Sequence, residues 1–209
     1  MTRGLTAGLG AIAFGVLSFV AMMIANPPGG TYSASDATKY IEHGHRAAVF
    51  VSVYVFLIGA VGLVLTLARL RAAIADAGRA SVFWFLGIAA TAAWVAGYAL
   101  VVAVPAASAY GGKSLSIDPS VTYTIAESGW VILYGAGGLL LGCALVAFAI
   151  GPVAVPAWVR WTTLVAGIAG LAALAWFPFF IVLIWAVVLG VWLLVADRGR
   201  APVSVIAAA

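Results

Sequence analysis

The stretch "AWVRWTTLVAGIAGLAALAWFPFFIVLIWAVVLGVWLLVA" (157–196) decides the fold. Its apolar character is almost unbroken, and one helix of that length would extend about 60 Å at 1.5 Å per residue. The hydrocarbon core of a bilayer is about 30 Å thick, so the chain must turn back on itself. The turn falls at "WFPFF" (176–180). Pro178 disfavours helix at Phe177 and suits the first turn of a new helix, while the aromatic cluster suits the membrane–water interface. The run therefore divides into two antiparallel spans, 157–176 and 178–196.

The same reasoning extends to the whole chain. Of 209 residues, 66% are hydrophobic and 8% charged, with mean hydropathy +1.20. Soluble domains are about a quarter charged, so the solvent of this protein is largely lipid. Four further apolar runs, 4–25, 47–69, 82–104 and 121–150, are long enough to cross a bilayer. The expectation is an all-α, polytopic membrane protein of six helices in one bundle, a single transmembrane domain over 1–209. The first run reads as a retained helix rather than a cleaved leader, because its apolar stretch is long and Met23 breaks the small-residue cleavage pattern before Ala25. Basic residues are scattered at segment ends with no Lys/Arg run, which argues against nucleic acid and leaves the lipid bilayer as the first partner. Cys143 stands alone in an apolar run and reads as a small core residue. Arg outnumbers Lys eight to two amid abundant Ala and Gly, which reads as the coding bias of a GC-rich genome.

Orientation is read from the loops. With the N-terminus inside, the cytoplasmic side carries Arg3, Arg69, Arg71, Arg79, Arg160, Arg198 and Arg200, and the outer side Lys39, Arg46 and Lys113. The positive-inside rule then puts both termini in the cytoplasm of a multi-pass protein of the inner (plasma) membrane. The two long loops, 26–40 and 105–123, become external. In the first, Ser35 or Asp36 is expected to cap a short helix leading through Tyr40 into the second span.

Small and weakly polar residues at helical spacing mark the faces that pack in lipid. The second span gives the clearest stripe: His45, Ser52, Gly59 and Thr66 lie seven apart, with Val49, Phe56 and Leu63 between and Glu42 one turn before. The fourth span offers Glu127, Val131, Gly135, Gly138 and Gly142, and the third Gly87, Thr91, Trp94 and Tyr98.

Ionisable groups near membrane depth are expensive and signal function. Glu42, His45 and Glu127 are the candidates, and they define an expected outer vestibule, with Tyr98 and Tyr123 beside it where the second, third and fourth spans adjoin. An imidazole between carboxylates would titrate near neutral pH and respond to acidity outside. A divalent metal on His43, His45 and Glu42 is the alternative, although an H-x-H pair on a helix points its rings apart. No cofactor is predicted. G-x-S-x-G, H-E-x-x-H and Walker loops are absent, so no catalytic residue is assigned, and a membrane-embedded enzyme is the rival class.

The short Arg-bearing N-terminus, the long first outer loop, the second span begun through His/Arg and the ending "FPFFIVLIWAVVLGVWLLVA" (177–196) give the chain a layout that resembles the small bacterial six-helix membrane proteins grouped as DUF4386-like. That resemblance implies a six-helix fold but no activity and no functional residues. The expected role is therefore small-solute transport, or an accessory or sensory function through the vestibule. Other membrane proteins or a second copy of the chain are possible partners.

Overall fold

A computed structural model describes residues 3–42, 45–111 and 117–198. Among these residues the secondary structure is helical. The helices are α1 (Arg3–Ala25), α2 (Ala34–Ile41), α3 (Arg46–Arg71), α4 (Ala77–Val101), α5 (Ala103–Gly111), α6 (Pro119–Trp130), α7 (Gly138–Ile150), α8 (Ala157–Leu171) and α9 (Phe179–Arg198). A π-helical turn, Val131–Gly137, joins α6 to α7, and a 3₁₀ turn, Ala173–Ala175, comes after α8.

Five of the described segments are long and apolar enough to cross a membrane: Gly4–Ala25, Arg46–Arg71, Ala77–Val101, Pro119–Ile150 and Phe179–Ala196. Their outward faces carry large apolar side chains, with Phe85 72% exposed and Ile184 63% exposed, as a lipid solvent requires. The helix expected over 157–176 differs. It stops at Leu171 after 15 residues, about 22 Å at the helical rise, and a 3₁₀ turn replaces its last part. The break thus starts before Pro178, and Trp176 completes it with a φ of 67°.

Among the described residues the long helices pack in a closed circuit: α1 against α3, α3 against α4, α4 against α6 and α7, α7 against α8, α8 against α9, and α9 back on α1. Glycine makes the tightest crossings possible. A Cβ on Gly62 would lie 2.3 Å from the Gly10 carbonyl oxygen, and one on Gly129 would lie 2.6 Å from that of Gly97. Backbones therefore touch where α1 crosses α3 and where α4 crosses α6, the small-residue packing expected in lipid. The stripe anticipated on the second span is buried throughout α3 at Val49, Ser52, Phe56, Gly59, Leu63 and Thr66. That on the third is buried at Gly87, Thr91, Trp94 and Tyr98.

The fourth span departs from its expected stripe. Val131 is 56% exposed, and the buried face of α6 runs instead through Thr122, Ala126 and Gly129 to Leu133. The π turn inserts an extra residue per turn and rotates α7 relative to α6, so Gly138 and Gly142 regain the interior one phase later. The loop expected over 105–123 also begins differently. One residue, Val102, interrupts the helix, and α5 resumes with Pro105 in its first turn, where the missing N–H costs nothing.

The two ends of the bundle differ chemically. At the arginine end, Ala154 N–H donates to Ala73 O at 3.0 Å and an isolated bridge joins Ile74 to Val153. Arg160 Nε donates to Ala149 O at 2.5 Å, and Arg79 Nη2 to Pro152 O. Arg160 thus satisfies a carbonyl in the last turn of α7 and Arg79 one just beyond it, where the helix dipole favours positive charge. The opposite end carries the long loops and His45, and is the loop end.

Candidate functional site

The loop end is built on the C-terminus of α1. Asn26, with φ 40°, closes that helix by donating its N–H to Met22 O at 3.0 Å. His45, the N-cap residue of α3, brings Nε2 to 2.6 Å from Ala25 O. The carbonyl can only accept, so Nε2 carries the proton. One turn earlier, Ala21 O receives the Tyr98 hydroxyl at 3.0 Å. His45 therefore satisfies a carbonyl that the end of α1 leaves unpaired, and Tyr98 adds a second donor to one within its last turns.

Above this end lies α2, capped by Ser33, whose hydroxyl accepts from Asp36 N–H at 3.3 Å. The cap thus falls two residues before the expected Ser35 and three before Asp36. Asp36 instead pairs with Lys39 at 3.7 Å. Tyr40 anchors the helix by donating its hydroxyl to Val101 O at 3.0 Å. Burial, with the Tyr98 phenol nearby, pushes the Tyr40 hydroxyl well above its ordinary pKa, so it remains a neutral donor. The short helix does not run on into α3: Glu42 ends it in extended backbone, exposed to solvent.

Two cavities open beneath α2 and its preceding loop. The first, about 320 Å³, is polar and lined by Asn26, Thr31, Ser33, Asp36, Lys39, Tyr40, His45 and Tyr123. The second, about 600 Å³, is a cleft of mainly apolar residues, Phe19, Met22, Met23, Trp130, Val131, Tyr134, Leu174, Trp176 and Phe180, with Glu127 among them. Asn26, Pro27 and Gly29 line both and form the wall between them. Tyr123 holds that wall in place: its hydroxyl donates to Gly30 O, and its ring meets Tyr32 edge-on at 5.3 Å. Gly29 lies so close over the cleft that a Cβ there would stand 3.5 Å from Glu127 Oε1.

The expected vestibule is therefore divided. His45 and Tyr123 share the polar chamber, while Glu127 belongs to the neighbouring cleft. Glu42 lines neither of them, and Tyr98 lies below both, stacked on Phe56 at 4.0 Å. His43, expected as a metal ligand, lies outside the described residues. Among the described residues, no three His, Cys, Asp or Glu side chains come together as a metal-binding group.

Sequence reasoning missed most of the cleft. Trp176 and Phe180 belong to the "WFPFF" cluster, which reads as an interface belt, and the early end of α8 brings them into the lining of the same cleft as Trp130 and Tyr134. Those two stack at 5.2 Å with an 11° interplanar angle, and their one-turn spacing is the signal in the sequence that could have found them.

Inside the ring of helices the space is filled by aromatic side chains. Trp94 packs between Phe14 at 4.7 Å and Phe179 at 5.0 Å, and Tyr134 meets Phe179 at 4.7 Å. Fold and site together describe an α-helical, membrane-embedded protein with a two-chambered pocket at one end. No family model, curated protein or solved structure matches the chain.

Proposed function

We propose that the chain is a six-span protein of the inner membrane, with both termini cytoplasmic and the loop end outside, that binds a ligand in its divided vestibule and serves an accessory or sensory role. The observation that carries this reading is the packed aromatic layer of Phe14, Trp94, Tyr134 and Phe179, which meets the larger chamber at Tyr134. All four are 5% exposed or less, so the cleft ends at packed rings where Tyr134 lines it rather than leading into a pore. Arg69, Arg79 and Arg160 near the opposite end support the orientation, and α8 with its 3₁₀ turn supplies the sixth crossing as a short one. A bilayer thins around short segments at modest cost.

Two measurements on the full chain, one in intact cells and one after reconstitution, test this. Cysteines placed singly at Thr31 and Ala75, with Cys143→Ser as background, are challenged with a membrane-impermeant maleimide in intact cells. Labelling at position 31 alone is expected, and labelling at 75 alone would reverse the topology. Proteoliposomes are then followed by stopped-flow light scattering in urea and glycerol gradients. Rates equal to those of protein-free liposomes are expected, and a protein-dependent acceleration would replace the sensory reading with transport.

A further inference from the structure

We infer that the 600 Å³ cleft is a binding site for a lipophilic organic cation, an alkyl- or arylammonium without a phosphate, held by Glu127 against aromatic walls. This assignment rests on the vestibule reading and gives one of its chambers a ligand class.

The first argument is charge. Among the described residues lining the cleft, Glu127 is the one with a formal charge. It is partly buried, one turn before the exposed Val131 and next to Ala126 on the buried face of α6. A carboxylate held among apolar walls is costly unless a cation joins it, and the cleft's own lining supplies none. Lys39 and His45 line the other chamber, behind the wall of Asn26, Pro27 and Gly29.

The second argument is the shape of the walls. Trp130, backed by the buried Tyr134 on which it stacks, stands in the lining with the exposed Trp176 and with Phe180, which meets Trp176 edge-on at 5.8 Å. Aromatic faces around a carboxylate are the chemistry that recognises alkylammonium groups, because each ring quadrupole attracts a diffuse cation that sheds water easily. A strongly hydrated metal ion gains little from such walls.

The third argument is access. Met23 is 60% exposed, Leu174 66% and Trp176 57%, so the cleft opens sideways toward lipid as well as toward the loop end. A ligand dissolved in the membrane would lay its apolar part along Met22, Met23 and Leu174. Methionine's flexible thioether adapts to irregular apolar partners. A phospholipid amine fits poorly, because its phosphate would enter the same cleft with no basic side chain to meet it.

The test uses the full chain in uncharged maltoside micelles with three probes of one shape. These are benzyltrimethylammonium, its neutral isostere neopentylbenzene, and the anion phenylmethanesulfonate. Isothermal titration calorimetry of the unmodified protein is expected to show binding of the ammonium about tenfold or more tighter than of the isostere, with no binding of the anion. Glu127→Gln is expected to abolish that preference, while Glu42→Gln keeps it. Equal binding of ammonium and isostere would overturn the cation site while leaving a ligand-binding vestibule standing. Binding of no probe would overturn the cleft as a ligand site. Displacement of the ammonium by short-chain phosphatidylethanolamine at equal concentration would make the ligand a lipid headgroup and overturn the phosphate-free assignment. Because the probe comparison is made in the unmodified protein, the outcome does not depend on Glu127→Gln folding.

Discussion

His45 Nε2 and the carbonyl oxygen of Ala25 stand 2.6 Å apart, so a side chain at the start of α3 closes the C-terminus of α1. That contact ties the two helices together at the loop end, 20 residues apart in sequence. Replacing His45 with Ala removes the donor from the carbonyl of the buried Ala25. The expected loss is about 1 kcal/mol, the net worth of one hydrogen bond, read as a lowered melting temperature in detergent. His45→Gln, whose amide can donate, should recover part of it. A melting temperature for His45→Ala equal to that of the unmodified chain would show the contact to be energetically idle.

Backbone contact between α1 and α3 makes a second, sharper prediction. A Cβ on Gly62 would lie 2.3 Å from Gly10 O and 3.1 Å from its carbonyl carbon, and neither atom belongs to a flexible side chain. Gly62→Ala must push the helices apart along their whole crossing, at a cost of roughly 1–3 kcal/mol. Gly78 is the internal comparison. It is exposed in the first turn of α4, where an added Cβ would meet only Asp76 Oδ1 at 3.5 Å. Gly78→Ala should be neutral or stabilise by up to about 1 kcal/mol, because alanine loses less backbone entropy in a helix. Thermal melts of the two variants in one detergent decide the matter, and similar shifts in both would contradict the crossing.

The different fates of the sequence expectations have physical causes. The stripe from Val49 to Thr66 is legible because α3 is regular, so spacing converts directly into a face. The stripe from Glu127 to Gly142 misleads because a π turn, which leaves no mark in composition, shifts the phase between Val131 and Gly137. Glu127 still stands out as a candidate, since a carboxylate in an oily run is conspicuous wherever it points. The aromatic residues of its cleft are not, because Trp176 and Phe180 join that lining only through the early stop of α8 at Leu171. The wall dividing the vestibule depends on Tyr123 holding Gly30, 93 residues away in sequence, and no local pattern carries such a contact.

The π turn itself can be tested through Trp94. A Cβ on Gly137 would fall 1.9 Å from Trp94 Cδ1, so the indole rests directly on that glycine. Among the described residues Trp94 Nε1 has no hydrogen-bond partner, and shape alone holds the ring in place. Gly137→Ala should therefore displace Trp94 from between Phe14 and Phe179. We expect a loss of near-ultraviolet circular dichroism with far-ultraviolet helicity retained, and a destabilisation of roughly 1–3 kcal/mol. Retention of both the aromatic signal and the melting temperature would mean that the layer beneath the vestibule is not packed as described.

The start of α6 gives the pH-dependent prediction. Asp118 caps this helix by accepting from Ser120 N–H at 2.7 Å, and the Ser120 hydroxyl donates to the same oxygen. The Ser120 hydroxyl first, then its backbone N–H, hold the Asp118 carboxyl below its ordinary value of 3.8. A carboxyl whose folded pKa is depressed stabilises the folded state above its unfolded pKa, and loses that contribution as pH falls through the folded value. Asp118→Ala should therefore melt below the unmodified chain at pH 7, by an amount that is undiminished at pH 5 and shrinks once the pH drops below about 4. The shrinkage comes from the unmodified chain losing stability, because the variant has no carboxyl there to protonate. Melting curves of both proteins from pH 7 to pH 3 measure it, and a gap that stayed constant to pH 3 would remove the ionised carboxylate from the cap.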